Sequence, residues 1–206
     1  MRVFYLLAIV FVVDGHTTNG HLFEMNGLFR YYSFHLMMFA FGSGYFFKLY
    51  GGACSDLAHR AKKLLVPLYL WNVVYGVGAA LLRRFGGFEL GEPISAYTLL
   101  LAPLTDGQHF VWNLGAWFIF PLFFAQVFYA GIRRLSVRWH ENEVMTFLLC
   151  LIPGCAAVQL CFSGRQEALP LFLLRSMILL PGFAGGQLYR RVLEKRDSLP
   201  TVPYLL

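Results

Sequence analysis

Charge is scarce in this chain: Asp, Glu, Lys and Arg make up 14% of its 206 residues, against 58% hydrophobic and 17% aromatic. A soluble globule of this length carries roughly 25% charged residues to cover its surface. The shortage excludes an ordinary soluble enzyme and implies a polytopic membrane protein. Acid is scarcer still, with 11 Asp and Glu against 17 Lys and Arg and a formal charge of +6. That surplus of base does not point to nucleic acid, which needs basic residues and aromatic platforms gathered on one face of a soluble fold. Here the bases sit in short clusters between apolar runs, the pattern that sets membrane topology.

Cysteine is equally sparse. Cys54, Cys150, Cys155 and Cys161 form no Cys-x-x-Cys pair and have no clustered histidine beside them. Neither a metal site nor a structural disulfide is expected from that spacing. A small-residue cleavage site is missing after the first apolar run, which ends in Asp14 and His16, so the first helix is expected to remain in place. Internal repeats and low-complexity tracts are also missing, which argues against a transporter built from duplicated halves.

What is present is a series of apolar runs near the roughly 17 to 25 residues that a crossing helix needs. They cover about residues 3–16, which is short, then 31–50, 64–82, 114–132, 144–162 and 169–189. Between the third and fourth, a long connector carries the apolar run ISAYTLLLAPL, which reads as a re-entrant or interfacial helix. The expected fold is an all-α membrane bundle of about six transmembrane helices. With the amino terminus inside, the inner ends collect Arg2, Lys48, Arg60, Lys62, Lys63, Arg133, Arg134, Arg138, Arg190, Arg191, Lys195 and Arg196. Only Arg30, Arg83, Arg84 and Arg165 fall outside, so both termini are expected in the cytoplasm. Residues 1–191 then form the membrane domain, and residues 192–206 form a cytoplasmic tail or the start of a connector.

The stretch from Asp14 to Phe47 carries the candidate chemistry. His16 and His35 stand at the edges of two apolar runs with a polar connector between them, and the topology puts both in the outer half of the membrane. Imidazole titrates near neutrality, so such a pair suits general acid–base work, although either histidine could instead be an interfacial structural residue. Gly42 and Gly44 suit close helix packing, or less commonly close approach to a ligand. Arg60, Lys62 and Lys63 form a cluster ahead of the third span that anchors topology or holds phosphate. Arg175, a full charge deep in an apolar run, must face the bundle interior or a water-filled cavity, or else snorkel.

Five blocks, taken in order, resemble the acyltransferase 3 family of integral membrane acyltransferases. FHLMMFAFGSGYFF, residues 34–47, is similar to that family's second-helix signature. Val12, Val13, Asp14, Gly15 and His16 are similar to its first-helix histidine context. RAKKLLVPLYLW, GAWFIFPLFFAQVF and LLPGFAGGQLYRR resemble three later segments. The family commonly has a basic residue eleven positions before the first histidine; that position is Tyr5 here, with Arg2 on about the same helical face. Members typically have around ten spans, so the resemblance covers the amino-terminal six and implies a chain that is incomplete relative to the family.

The resemblance implies an O-acyltransferase moving an acyl group, most often acetyl, from cytosolic acyl-CoA to a hydroxyl of a cell-surface or lipid-linked glycan. It assigns His16 and His35 to catalysis and Arg60 with Lys63 to the acyl-CoA donor. The implied partners are the lipid bilayer, acyl-CoA and a carbohydrate acceptor. Self-association or a separate carboxy-terminal half would complete the bundle. A bacterial inner membrane is the home the family implies. Two other readings stand beside it: a non-catalytic relative acting as a membrane-embedded binding or assembly protein, and a small-solute transporter.

Overall fold

The computed structural model describes residues 2–15, 34–87, 91–105, 116–137 and 142–196. Among them every regular element is helical: α1 (Arg2–Gly15), α2 (His35–Tyr45), α3 (Ala53–Gly86), α4 (Ala102–Thr105), α5 (Ala116–Val137), α6 (Glu143–Phe162) and α7 (Leu171–Leu188). A π-helical turn, Tyr97–Leu101, leads into α4, and another, Tyr189–Leu193, prolongs α7. Among the described residues four helices are long and apolar enough to cross a membrane: Ala53–Gly86, Trp117–Val137, Glu143–Phe162 and Leu171–Leu193. Each of the four holds an internal proline, Pro67, Pro121, Pro153 or Pro181. Membrane helices tolerate this because neighbouring helices and side chains re-satisfy the freed backbone groups.

Two helices depart from the lengths read off the sequence. The apolar run over 31–50 yields a helix of 11 residues, about 16 Å long, which is short for a crossing. The third run becomes a helix of 34 residues, about 51 Å, well beyond a hydrocarbon core of roughly 30 Å. Arg60, Lys62 and Lys63 therefore lie inside α3, not ahead of it. The physical reason is the absence of a breaker between Gly52 and Pro67, where Ala, Leu, Arg and Lys favour helix. Termination comes from Gly87, which adopts the left-handed conformation (φ 67°) that only glycine takes without strain.

The chain divides into two compact units, residues 1–47, 132–151 and 181–206 in the first, and 48–131 and 152–180 in the second. In the first, α1 and α2 form an antiparallel hairpin. Phe4 meets Phe41 at 5.5 Å between ring centroids and Phe11 meets Phe34 at 6.4 Å, so the pairs advance in opposite directions. Ala8, Phe11 and Met38 are the buried centre of that contact.

The end of α7 crosses α2 at backbone distance. A Cβ on Gly44 would overlap the carbonyl oxygen of Phe183, and one on Gly186 would overlap that of Phe41. Gln187, 1% exposed, donates from Nε2 to the carbonyls of Gly44 (2.6 Å) and Phe47 (3.0 Å), and Arg190 Nη1 donates to Tyr45 O (3.0 Å). Carbonyls left over at the end of α2 are thus satisfied by side chains of α7, as burial demands. Arg191 donates to Gln187 Oε1 (2.9 Å) and pairs with Glu143 (3.0 Å), which also holds Arg133 (2.7 Å). This chain of contacts gathers the carboxy-terminal ends of α2, α5 and α7 and the amino-terminal end of α6.

In the second unit, Leu68 and Phe120 centre a core of α3 and α5 residues joined by Leu104 of α4. Asn72, 3% exposed in the middle of the apolar part of α3, donates to the carbonyls of Thr98 (3.1 Å) and Leu99 (2.8 Å). Tyr69 donates its hydroxyl to Leu100 O (3.1 Å). The ISAYTLLLAPL segment therefore packs against the middle of α3.

Candidate functional site

His35 is the first residue of α2 and is 5% exposed. The antiparallel register brings this end of α2 beside the carboxy-terminal end of α1, where Phe11 lies against Phe34 and Asp14 is 4% exposed. α1 is described as far as Gly15, and His16 lies outside the described residues. Tyr5, which stands where the family commonly has a basic residue, puts its ring into the notch left by the missing side chain of Gly42. Gly42 and Gly44 both serve packing, the first against Tyr5 and the second against Phe183.

Arg60 and Lys63 belong to the second unit. Lys63 is exposed, as are Lys62 and Lys48. Arg60 is 4% exposed and every nitrogen of its guanidinium has an acceptor. Nε bonds Asp56 Oδ2 (3.2 Å), Nη2 bonds Asp56 Oδ1 (2.6 Å) and Lys48 O (2.8 Å), and Nη1 bonds Gln126 Oε1 (3.0 Å). Asp56, 2% exposed, also accepts from the backbone N–H of Tyr50 (3.1 Å). The Tyr50 ring lies against His59 at 3.9 Å between centroids, tilted by 32°. A bidentate pair of this kind supplies both charge compensation and fixed geometry.

Arg175 lies in the second unit, half-buried, with its guanidinium 4.3 Å over the Trp117 ring. The aromatic face offsets part of the cost of a cation at membrane depth, about 2 kcal/mol when desolvated.

A family model described as an acyltransferase domain matches residues 6–205. The chain belongs to the acyltransferase 3 family. No curated protein and no solved structure matches it. Four apolar crossing helices and this family together make it a multi-pass membrane protein of an acyltransferase family.

Within this acyltransferase-domain chain, the second-helix block covers α2 and its exit, and the Arg60 block lies in α3. LLPGFAGGQLYRR supplies the glycine crossing and the side-chain cap of α2. Asp56, Gln126, Gln187 and Glu143 escaped the sequence reading. A signal for Asp56 was there, since it precedes Arg60 by one helical turn. Gln126 and Gln187 were legible only as lone polar residues in apolar runs.

Proposed function

We propose that this chain is a membrane O-acyltransferase that moves an acyl group, acetyl by preference, from acyl-CoA to a hydroxyl of a cell-surface or lipid-linked carbohydrate. The observation that carries this reading is the acyltransferase-domain match over residues 6–205. The buried imidazole of His35 supports it, beside the carboxy-terminal part of α1, which is described as far as Gly15. His16 acts as general base and His35 as its acid–base or orienting partner. The base takes the proton of the acceptor hydroxyl as its oxygen attacks the thioester carbonyl. The C–S bond breaks, the acyl group passes to oxygen and the CoA thiolate leaves to be protonated. A sugar hydroxyl is a poor nucleophile, so base assistance of about 10² to 10⁴-fold is what the chemistry needs.

Six crossings of a bacterial inner membrane, including α1 and α2, with both termini on the cytosolic side, complete the reading. The end at which α2, α5, α6 and α7 meet carries Arg133, Arg190 and Arg191. The positive-inside rule assigns such an end to the cytosol. Arg60 and Lys63 mark the donor end, where the exposed Lys63 favours the phosphates of CoA while the pantetheine arm reaches into the bundle.

The test is release of CoA thiol from acetyl-CoA by the purified chain in liposomes supplied with an envelope glycan extract. The wild type should turn over, and His16→Ala and His35→Ala should each lose about 10² to 10⁴-fold. Binding of acetyl-CoA without turnover would favour a non-catalytic relative, and no binding at all a transporter.

A further inference from the structure

Arg60 is one of two cations assigned to the donor, yet its guanidinium faces inward. It is 4% exposed, and Asp56, Gln126 and the Lys48 carbonyl take its donors. A phosphate reaching it would have to displace Asp56 and leave that carboxylate, 2% exposed, without its cation. Stripping one partner from a buried ion pair is among the costlier changes a protein can undergo. The exposed cations nearby in sequence are Lys48, Lys62 and Lys63. Two of the backbone groups held by the pair belong to the connector that precedes α3: the Lys48 carbonyl by Arg60, and the Tyr50 N–H by Asp56. Gln126 ties the same guanidinium to α5.

Resting on the acyl-CoA reading above, we propose that Asp56 and Arg60 are positioning residues of the donor site. Their buried ion pair fixes the 48–50 backbone against α3 and α5, and Lys48 and Lys63 make the phosphate contacts. The ligand is the 3′-phosphorylated adenosine diphosphate end of CoA, a polyanion that flexible ammonium groups on a fixed backbone can grip.

The experiment titrates CoA and 3′-dephospho-CoA into the 206-residue chain in nanodiscs, with KM and kcat for acetyl-CoA measured alongside. Asp56→Asn and Arg60→Lys should weaken both ligands by the same factor, about 10-fold, and keep the wild-type preference between them. They should raise KM at unchanged kcat, with recovery in Asp56→Glu. Lys48→Ala or Lys63→Ala should flatten the preference for the 3′-phosphate. Should Asp56→Asn fail to fold, Arg60→Lys, which keeps a cation beside Asp56, carries the same comparison. A flattened preference in Arg60→Lys with wild-type binding in Asp56→Asn would make Arg60 a direct phosphate ligand and overturn the proposal. A fall in kcat at constant KM would reduce the pair to a structural role and overturn it as well. Wild-type protein that binds neither compound would overturn the donor reading, and this role with it.

Discussion

Gln187 reaches from α7 to two carbonyls at the end of α2 and accepts from Arg191, so one amide serves three backbone or charged groups. Gln187→Leu keeps the volume and removes these three hydrogen bonds, at roughly 0.5–1.5 kcal/mol each, while Arg191 keeps Glu143 and the Gly44 carbonyl keeps the Phe47 N–H. A lower thermal midpoint in detergent and faster amide exchange over residues 44–48 should follow. Arg60→Ala strands the Asp56 carboxylate and should cost about 3–5 kcal/mol, against no more than about 0.5 kcal/mol for the exposed Lys63→Ala. The same unfolding measurement ranks the two. The Asp56 and Arg60 spacing could be read from the sequence, but its weight could not. An exposed pair at that spacing gives only about 0.3–0.5 kcal/mol, and what removes this one from water is α5, through Gln126. His35 was legible because a histidine in an apolar run is rare; its burial beside the end of α1 came from tertiary packing.

The crossing of α2 and α7 is built on glycine. Gly186→Ala sets a methyl against the Phe41 carbonyl and Gly44→Ala sets one against that of Phe183, backbone atoms that cannot swing aside. Either should displace α2 from α7 and cut the monodisperse fraction in detergent chromatography severely. Gly131→Ala meets nothing within 4 Å on α5, and should gain up to about 1 kcal/mol from helix propensity. Periodicity and length located α1, α5, α6 and α7 within a few residues, because each apolar run coincides with a helix. They failed for α2 and α3, where the limits are set by other forces. α2 stops where α7 can cap it, and α3 runs on through polar residues because nothing in 53–63 breaks a helix. Asn72 marks the packing of the 94–104 segment on α3 in the same indirect way, a lone amide in an apolar run whose partners are the carbonyls of Thr98 and Leu99.

Membrane class and family were legible in the whole chain, since composition excluded a soluble globule and five ordered blocks carried the resemblance. The number of crossings was less so: α2 is shorter than a bilayer needs, α1 is described only over Arg2–Gly15, and residues 16–33 lie outside the described structure. The proposed orientation puts Cys54, exposed in the first turn of α3, in the cytosol, and Cys161, exposed near the end of α6, on the opposite side. Single-cysteine variants should therefore react with an impermeant maleimide from inside-out vesicles for Cys54 and from intact cells for Cys161; the reverse pattern would invert the topology. The central claim is histidine-dependent acyl transfer from acyl-CoA. Its most direct measurement is radiolabel passing from acetyl-CoA to envelope glycans in permeabilised cells expressing these 206 residues or the His16→Ala variant, normalised to inserted protein. The account predicts labelling in the first and its loss in the second. Equal labelling in both would contradict it, as would stable insertion of the wild type with no labelled glycan.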